Sequence, residues 1–213
     1  MRRTRIGATA LFVIGFAAAA SAQQPPAEKW QPLFNGRDLA GWHALPGGKW
    51  LVLDGQIIGV GTKREKRHGL LVSDKTYSDF RLRVEFMSIV GNSGLYFRVQ
   101  KVDHAVGVKG FQAEICPKGG SIAGLYETLG RKWVAHSDAK KVMEVMKPGN
   151  WNTMEVHAVG GNITVLLNGV KVTELTDDPG LKEGHIALQM HGGADMDVRF
   201  RTIEIQTLDQ HAE

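Results

Sequence analysis

Three dipeptides restrict what this chain can become. Asp54-Gly55, Gly160-Gly161 and Asn168-Gly169 each separate two short apolar runs, in WLVLDGQIIGV, MEVHAVGGNITVLL and ITVLLNGVKVTEL. These residues tolerate the positive φ angles of a two-residue hairpin turn, so each pair of runs reads as two antiparallel strands. Further strand-like stretches are FRLRVEFM, GLYFRVQ, GFQAEIC, GHIALQMH and VRFRTIEIQTL. Helical spacing is scarce, with room for a turn or two only between Ala135 and Met146. Many short strands with turn signals between them, and no strand–helix–strand rhythm, predict a single all-β domain over residues 30–209, an antiparallel sandwich or barrel.

The chain begins MRRTRIGATALFVIGFAAAASAQQ. Arginines, an apolar run and the small-residue pattern Ala20-Ser21-Ala22 read as a secretory signal peptide over residues 1–22. The run is shorter than the ~20 residues needed to cross a bilayer, so no stable membrane insertion is expected once it is removed. Residues 23–29 are a polar lead-in, and the mature protein is expected to be exported, periplasmic or secreted. The formal charge of +4 falls to +1 once Arg2, Arg3 and Arg5 leave with the leader. No basic stripe persists, so no nucleic-acid partner is expected. The one basic cluster, KREKRH at Lys63 to His68, is either a solvated loop or a loop over a ligand site. Cys116 is the only cysteine, so no intramolecular disulfide can form and stability must come from a packed core.

In a sandwich, alternate side chains of each strand face the opposite sheet and the rest face outward. Parity buries Leu82, Val84 and Phe86, leaving Arg83, Glu85 and Met87 outside. In GLYFRVQ it buries Leu95, Phe97 and Val99, leaving Tyr96 and Arg98 outside after a small polar Asn92-Ser93-Gly94 turn. Gln112 and Glu114 stay out while Phe111, Ala113 and Ile115 go in; His185, Gln189 and His191 stay out while Ile186, Leu188 and Met190 go in. If these strands are neighbours, Glu85, Tyr96, Arg98, Gln112, Glu114, Gln189 and His191 form one patch. Carboxylates, a guanidinium, amides and an aromatic ring are the groups that bind sugar hydroxyls and stack on a sugar ring, so a small carbohydrate is the expected partner.

Other chemistries lack their motifs. There is no Gly-x-Ser-x-Gly elbow, no phosphate loop and no His-Glu-x-x-His or paired-cysteine zinc pattern. His185 and His191 stand six residues apart on a strand, about 20 Å, too far to share an ion. No cofactor is expected; Asp195 and Asp197 in GGADMD read as a solvated loop, with a site for calcium or another divalent ion the alternative. Trp50, Trp133 and Trp151 read as core or rim residues, with a ligand platform the alternative.

The stretches LFNGRDLAGWH, GNSGLYFR, KGFQAEI, GLYE, GNWNTMEVHAVGGNITVLLNG, IALQMHG and FRTIEI resemble, in order, those of the 3-keto-disaccharide hydrolase family of exported bacterial proteins. The resemblance runs from about Pro32 to Thr207. It implies a concanavalin A-like jelly-roll sandwich that cleaves glycosides whose sugar carries a ketone at carbon 3. Its recurrent polar positions fall on Asn92, Ser93, Arg98, Gln112, Glu114, Tyr126, Trp151, Asn152, Gln189 and His191, with Glu85 in the preceding strand. Four positions depart from the family pattern: Arg81 where an acid is usual, Thr202 where Asn is usual, and Gln112 and Glu114 with acid and amide exchanged relative to many members. Only Glu114 of that pair can ionise here. The resulting expectation casts Glu114 and His191 as acid/base groups and Arg98 as enolate stabiliser. Glu85, Asn92, Ser93, Tyr96, Gln112, Tyr126 and Gln189 are cast as substrate-binding. A non-catalytic, lectin-like module on the same sandwich is the alternative, and a structural or adhesive exported protein a more distant one.

Overall fold

The computed structural model of the chain describes residues 29–116 and 120–208. The expected signal peptide and nearly all of the polar lead-in lie outside the described residues. The strands in chain order are β1 (Gln31–Pro32), β2 (Trp42–Ala44), β3 (Lys49–Leu53), β4 (Gln56–Gly61), β5 (Gly69–Tyr77), β6 (Phe80–Val90), β7 (Ser93–Lys101) and β8 (Val108–Ile115). They continue with β9 (Leu125–Thr128), β10 (Lys132–Ala135), β11 (Asn152–Val159), β12 (Asn162–Leu167), β13 (Val170–Leu175), β14 (Gly184–Met190) and β15 (Met196–Thr207). The turn dipeptides do what their chemistry suggests. Asp54 and Gly55 close β3–β4 at φ 50° and 73°, and Asn168 and Gly169 close β12–β13 at φ 50° and 83°. One short helix, α1 (Ala139–Val145), is capped by the Asp138 carboxylate, which accepts from the Lys140 and Lys141 amides.

The strands form two antiparallel sheets. One runs β13-β12-β11-β6-β15-β4-β3, with β1 also paired to β15; the other runs β10-β9-β8-β7-β14-β5-β2. Between them lies the core: Leu82, Val84 and Phe86 of β6 and Phe200 of β15 from the first sheet, with Leu95 and Phe97 of β7, Phe111 and Ile115 of β8, and Leu188 of β14 from the second. Phe97 stacks on Phe111 with ring centroids 5.5 Å apart. Truncating a phenylalanine in such a layer costs about 3–5 kcal/mol. Among the described residues no helix is long and apolar enough to cross a membrane.

Of the register shifts in the two sheets, two bear on the expected site residues. In β7 the register shifts between Phe97 and Gln100, with Arg98 at φ 50°, and in β15 it shifts between Arg201 and Ile203, with Thr202 at φ 48°. A bulge inserts one residue and reverses which face the following side chains occupy. Val99 accordingly joins Leu70, Val72, Tyr96, Val108 and Ala187 in a second apolar cluster on the outer face of the β7 sheet. Leu45 packs on that cluster, and the turn at residues 102–107 folds beside it, where Gly107 approaches Leu45 and Leu70. This half of the outer face is covered. The other half, toward β8, β9 and β10, is where polar residues gather.

Candidate active site

Register sets the floor of the site. Trp133 of β10 pairs with Tyr126 of β9, Tyr126 with Gln112 of β8, Gln112 with Tyr96 of β7, and Tyr96 with Ala187 of β14. Two residues further along, Glu114 pairs with Gly94. Gly94 leaves room for the Gln112 side chain, since a Cβ there would lie 2.6 Å from the Gln112 amide nitrogen. Over these strands lies a cavity of about 290 Å³, bounded on the floor by Tyr96, Gln112, Glu114 and Gln189. That volume is at the small end of the ~300–1,000 Å³ typical of small-molecule sites, enough for about one sugar ring.

Glu114 is the titratable centre of the floor. The Gln112 amide donates to its Oε2 at 2.6 Å, and the Asn92 side chain also bonds it. Burial nonetheless pushes the carboxyl up from 4.5 to about 7, against the Asn92 bond that stabilises the charge. Beside it the Gln189 amide and the Thr128 hydroxyl both bond the Tyr96 phenol, at 3.0 and 3.2 Å. Burial raises that phenol well above its ordinary pKa, so it stays neutral and can donate. Two amide oxygens are left over: Asn92 Oδ1 and Gln189 Oε1 are buried without a hydrogen-bond partner. Each such acceptor costs about 1–3 kcal/mol unless a donor satisfies it, and hydroxyl groups of a bound ligand would do so.

Two histidines form one wall. His68 and His191 pack with ring centroids 4.4 Å apart. His191 Nδ1 lies 2.7 Å from the Gly192 carbonyl oxygen, and the Gly192 amide donates to His68 Nδ1 at 2.8 Å. Burial, with repulsion from His191 and His104, pulls the His68 imidazole down to about 4. The opposite wall is aromatic. Tyr126 meets Trp133 edge to face at 5.3 Å, and Trp133 stacks on His136 at 5.3 Å, with Trp133 and Leu129 well exposed at the rim.

The chain as a whole has relatives. The model of the 3-keto-alpha-glucoside-1,2-lyase-like domain matches residues 29–206. The chain belongs to that family. No curated protein matches it. Two structures from Parabacteroides distasonis, each described as a "putative glycosyl hydrolase", share the fold: one is 26% identical, covering 84% of this chain and 100% of its own at TM-score 0.61. The other is 22% identical, covering 84% and 94% at TM-score 0.62. The carbohydrate binding module CBM66 from Bacillus subtilis is 17% identical, covering 78% of this chain and 96% of its own at TM-score 0.60. The 3-keto-alpha-glucoside-1,2-lyase-like domain of this chain is thus a concanavalin A-like sandwich of a kind found in both glycoside-acting and carbohydrate-binding proteins.

Asn92, Tyr96, Gln112, Glu114, Tyr126, Gln189 and His191 meet round one cavity. Three of the expected site residues do not. Arg98 sits past the start of the bulge and turns inward, fully buried: it donates to the Ser78 carbonyl at 2.8 Å, the Gly160 carbonyl at 2.7 Å and Asp79 Oδ1 at 2.9 Å. Those partners belong to the β5–β6 and β11–β12 turns, so Arg98 clamps the ends of the two sheets and faces no ligand. Ser93 points into the sandwich, its hydroxyl donating to the Gln189 carbonyl at 2.6 Å. Glu85 faces outward as parity has it, but on the other sheet, paired with Arg201 at 3.2 Å. Partial burial raises its carboxyl, but bonds from Thr202 and Arg201 outweigh this and hold it below the usual range.

Trp151 also lies outside the cavity, under the Arg201 guanidinium, and Asn152 bonds the backbone of the Lys147–Asn150 turn. Asp195 accepts from the Lys63 amide and Asp197 pairs with Arg199, so neither aspartate is turned toward the other's partners. Among the described residues no group of three or more His, Cys, Asp or Glu side chains could hold a metal ion. His68, Val106, Thr128, Leu129 and Trp133 also line the cavity, and strand parity selects none of them. The basic KREKRH cluster was the one available sign of His68, as a loop that could cover a ligand.

Proposed function

We propose that the chain cleaves 3-keto-glycosides, with Glu114 and His191 moving the protons. The ketone at carbon 3 acidifies the hydrogen on carbon 2. His191 donates Nδ1–H to the Gly192 carbonyl, which leaves Nε2 with a free lone pair to take that proton. The electron pair moves into the C2–C3 bond, giving an enolate at the carbon 3 oxygen. When the enolate collapses, the C1–O bond breaks, C1=C2 forms and the carbonyl is restored. The departing aglycone oxygen takes a proton from Glu114, whose carboxyl near 7 is still half protonated at neutral pH. The resulting Glu114 carboxylate then activates water for addition at carbon 1, while the His191 imidazolium returns a proton to carbon 2. The sum is hydrolysis, and elimination alone is a lyase reaction. The exposed Trp133 with Tyr126 offers an aromatic face for the sugar or aglycone, and Asn92 Oδ1 and Gln189 Oε1 accept hydroxyl protons.

The observation that carries this reading is the raised carboxyl of Glu114 in the same small cavity as the free lone pair of His191. The chemistry assigns every proton to a side chain, so no cofactor is needed and EDTA is expected to leave the rate unchanged. The leader sequence supports export, with a periplasmic or secreted mature chain. The deciding experiment incubates mature protein with a panel of 3-keto-disaccharides and the unoxidised parents. Free sugar or the unsaturated product is expected from the oxidised set alone. Saturable binding of both sets with no product would instead support a lectin-like module, the reading that the resemblance to a carbohydrate binding module favours.

A further inference from the structure

We infer that His68 is the hydrogen-bond donor to the carbon 3 oxygen, the electrophilic partner of His191, with both tautomers set by the single residue Gly192. This rests on the proposed cleavage of 3-keto-glycosides and names the group that reaction lacks once Arg98 is assigned to the sheet clamp. An enolate oxygen needs a positioned donor, and the removal of one such donor costs roughly 10²–10³-fold in rate.

The geometry around Gly192 dictates the tautomers. Its N–H donates to His68 Nδ1 at 2.8 Å, so that nitrogen is an acceptor and the ring proton of neutral His68 resides on Nε2. Its carbonyl lies 2.7 Å from His191 Nδ1, which must therefore carry a proton and leave Nε2 bare. One residue thus makes one imidazole a donor and the other a base. The rings are 4.4 Å apart, and both border the cavity. In the substrate the carbon 2 hydrogen and the carbon 3 oxygen are also immediate neighbours. Paired imidazoles, one base and one donor, match that pair of atoms.

The backbone holds the arrangement fixed. Gly193 donates to the Glu65 carbonyl at 2.6 Å, and a Cβ on Gly192 would fall 2.5 Å from the Lys66 carbonyl oxygen. The His68 amide in turn donates to the Ala105 carbonyl at 3.2 Å, tying the loop to the 102–107 turn. Only glycine lets residues 65–68 lie this close to the end of β14. The neutral state of His68 also fits the role, because burial and the neighbouring His191 and His104 disfavour a second charge there. When His191 takes the carbon 2 proton, the imidazolium that forms faces an uncharged neighbour.

The test uses the mature full chain and a 3-keto-1,5-anhydrohexitol, which has no aglycone to lose. In D2O, exchange of its carbon 2 hydrogen followed by NMR reports enolate formation alone. His68→Met is expected to slow exchange roughly 100-fold or more with KM changed less than about threefold, whereas His68→Gln, which keeps an N–H at comparable reach, stays within about tenfold of wild type. His68→Met exchanging within about threefold of wild type would overturn the assignment while leaving the cleavage reading intact. A wild-type protein that neither exchanges carbon 2 hydrogen nor cleaves 3-keto-glycosides would overturn both. ¹⁵N-histidine NMR of the wild-type protein needs no variant: it should show His68 protonated at Nε2 and His191 at Nδ1. A proton on His68 Nδ1 would overturn the inference even if His68→Met failed to fold.

Discussion

Glu114→Gln separates the two consequences of burying a carboxyl at this site. Burial raises the Glu114 carboxyl from 4.5 to about 7, so the folded chain holds its proton where the unfolded chain has lost it. The associated stability is fully present below pH 4.5, falls as pH rises, and is gone once pH passes about 7 and the folded carboxyl ionises. Converting the shift at ~1.4 kcal/mol per pH unit gives a loss of about 3 kcal/mol. Glutamine cannot ionise and keeps an oxygen to accept from the Gln112 amide, so the variant has no such loss. Its melting temperature relative to wild type should therefore rise by about 6–12 °C between pH 4.5 and pH 8.5, at roughly 2–4 °C per kcal/mol for a chain of this size. Paired thermal melts across that range measure the difference, and groups that titrate alike in both proteins cancel. Cleavage should move the opposite way: the wild-type rate falls above pH 7 as the acid is lost, and the variant is slow throughout with a poor leaving group. A stability difference that is the same at both ends of the range would refute the burial argument, whatever the activity.

Two further outcomes follow from the placement of side chains. Arg98→Met removes the guanidinium from Asp79 and from the Ser78 and Gly160 carbonyls, and breaking a buried pair in this way costs about 3–5 kcal/mol; urea denaturation should show the loss, while the folded fraction cleaves within about threefold of wild type, and a stable variant with its rate abolished would return Arg98 to the catalytic site. Trp133→Ala should raise KM roughly three- to tenfold with kcat little changed, for an aromatic contact of about 0.5–1.5 kcal/mol, and unchanged steady-state kinetics would remove the aromatic wall from substrate binding.

What could be read from the amino acids alone has clear physical limits. Alternation is reliable while a strand stays regular, and β8 and β14 keep Gln112, Glu114 and Gln189 on the outer face that parity assigns them. It fails at Arg98 because a bulge reverses the count, and nothing in GLYFRVQ marks the bulge. Its flanks are legible only in space: Gly110 and Gly184, from the two neighbouring strands, lie so close to the Arg98 and Val99 backbone that a Cβ on either would collide. Glu85 fails for another reason. β6 and β7 are consecutive and joined at Gly91-Asn92, which looks like a hairpin turn, yet the chain crosses there from one sheet to the other. Parity reports a face, never which sheet the face belongs to. His68 lies beyond the reach of parity because a loop residue has no period at all; its position comes from contacts with Gly192 and Ala105, far away in sequence.

The exchange of acid and amide that the family resemblance implies at positions 112 and 114 is less disruptive in space than along the chain. The two side chains share one face of β8 and are joined by the 2.6 Å bond from the Gln112 amide to Glu114 Oε2. Exchanging them keeps one carboxyl and one amide in the same cavity, with the proton-bearing group moved by about the length of a hydrogen bond. A binding module has less need than a catalyst of a carboxyl held near half protonation at neutral pH. Hydroxyl recognition needs donors, acceptors and an aromatic face, which Asn92, Gln189, Tyr96 and Trp133 supply without ionising near neutral pH. A buried carboxyl that weakens the fold by about 3 kcal/mol when charged is a poor sugar ligand compared with glutamine, but it is well matched to giving up and regaining a proton near pH 7. That asymmetry is the reason for preferring catalysis to recognition on a sandwich that serves both.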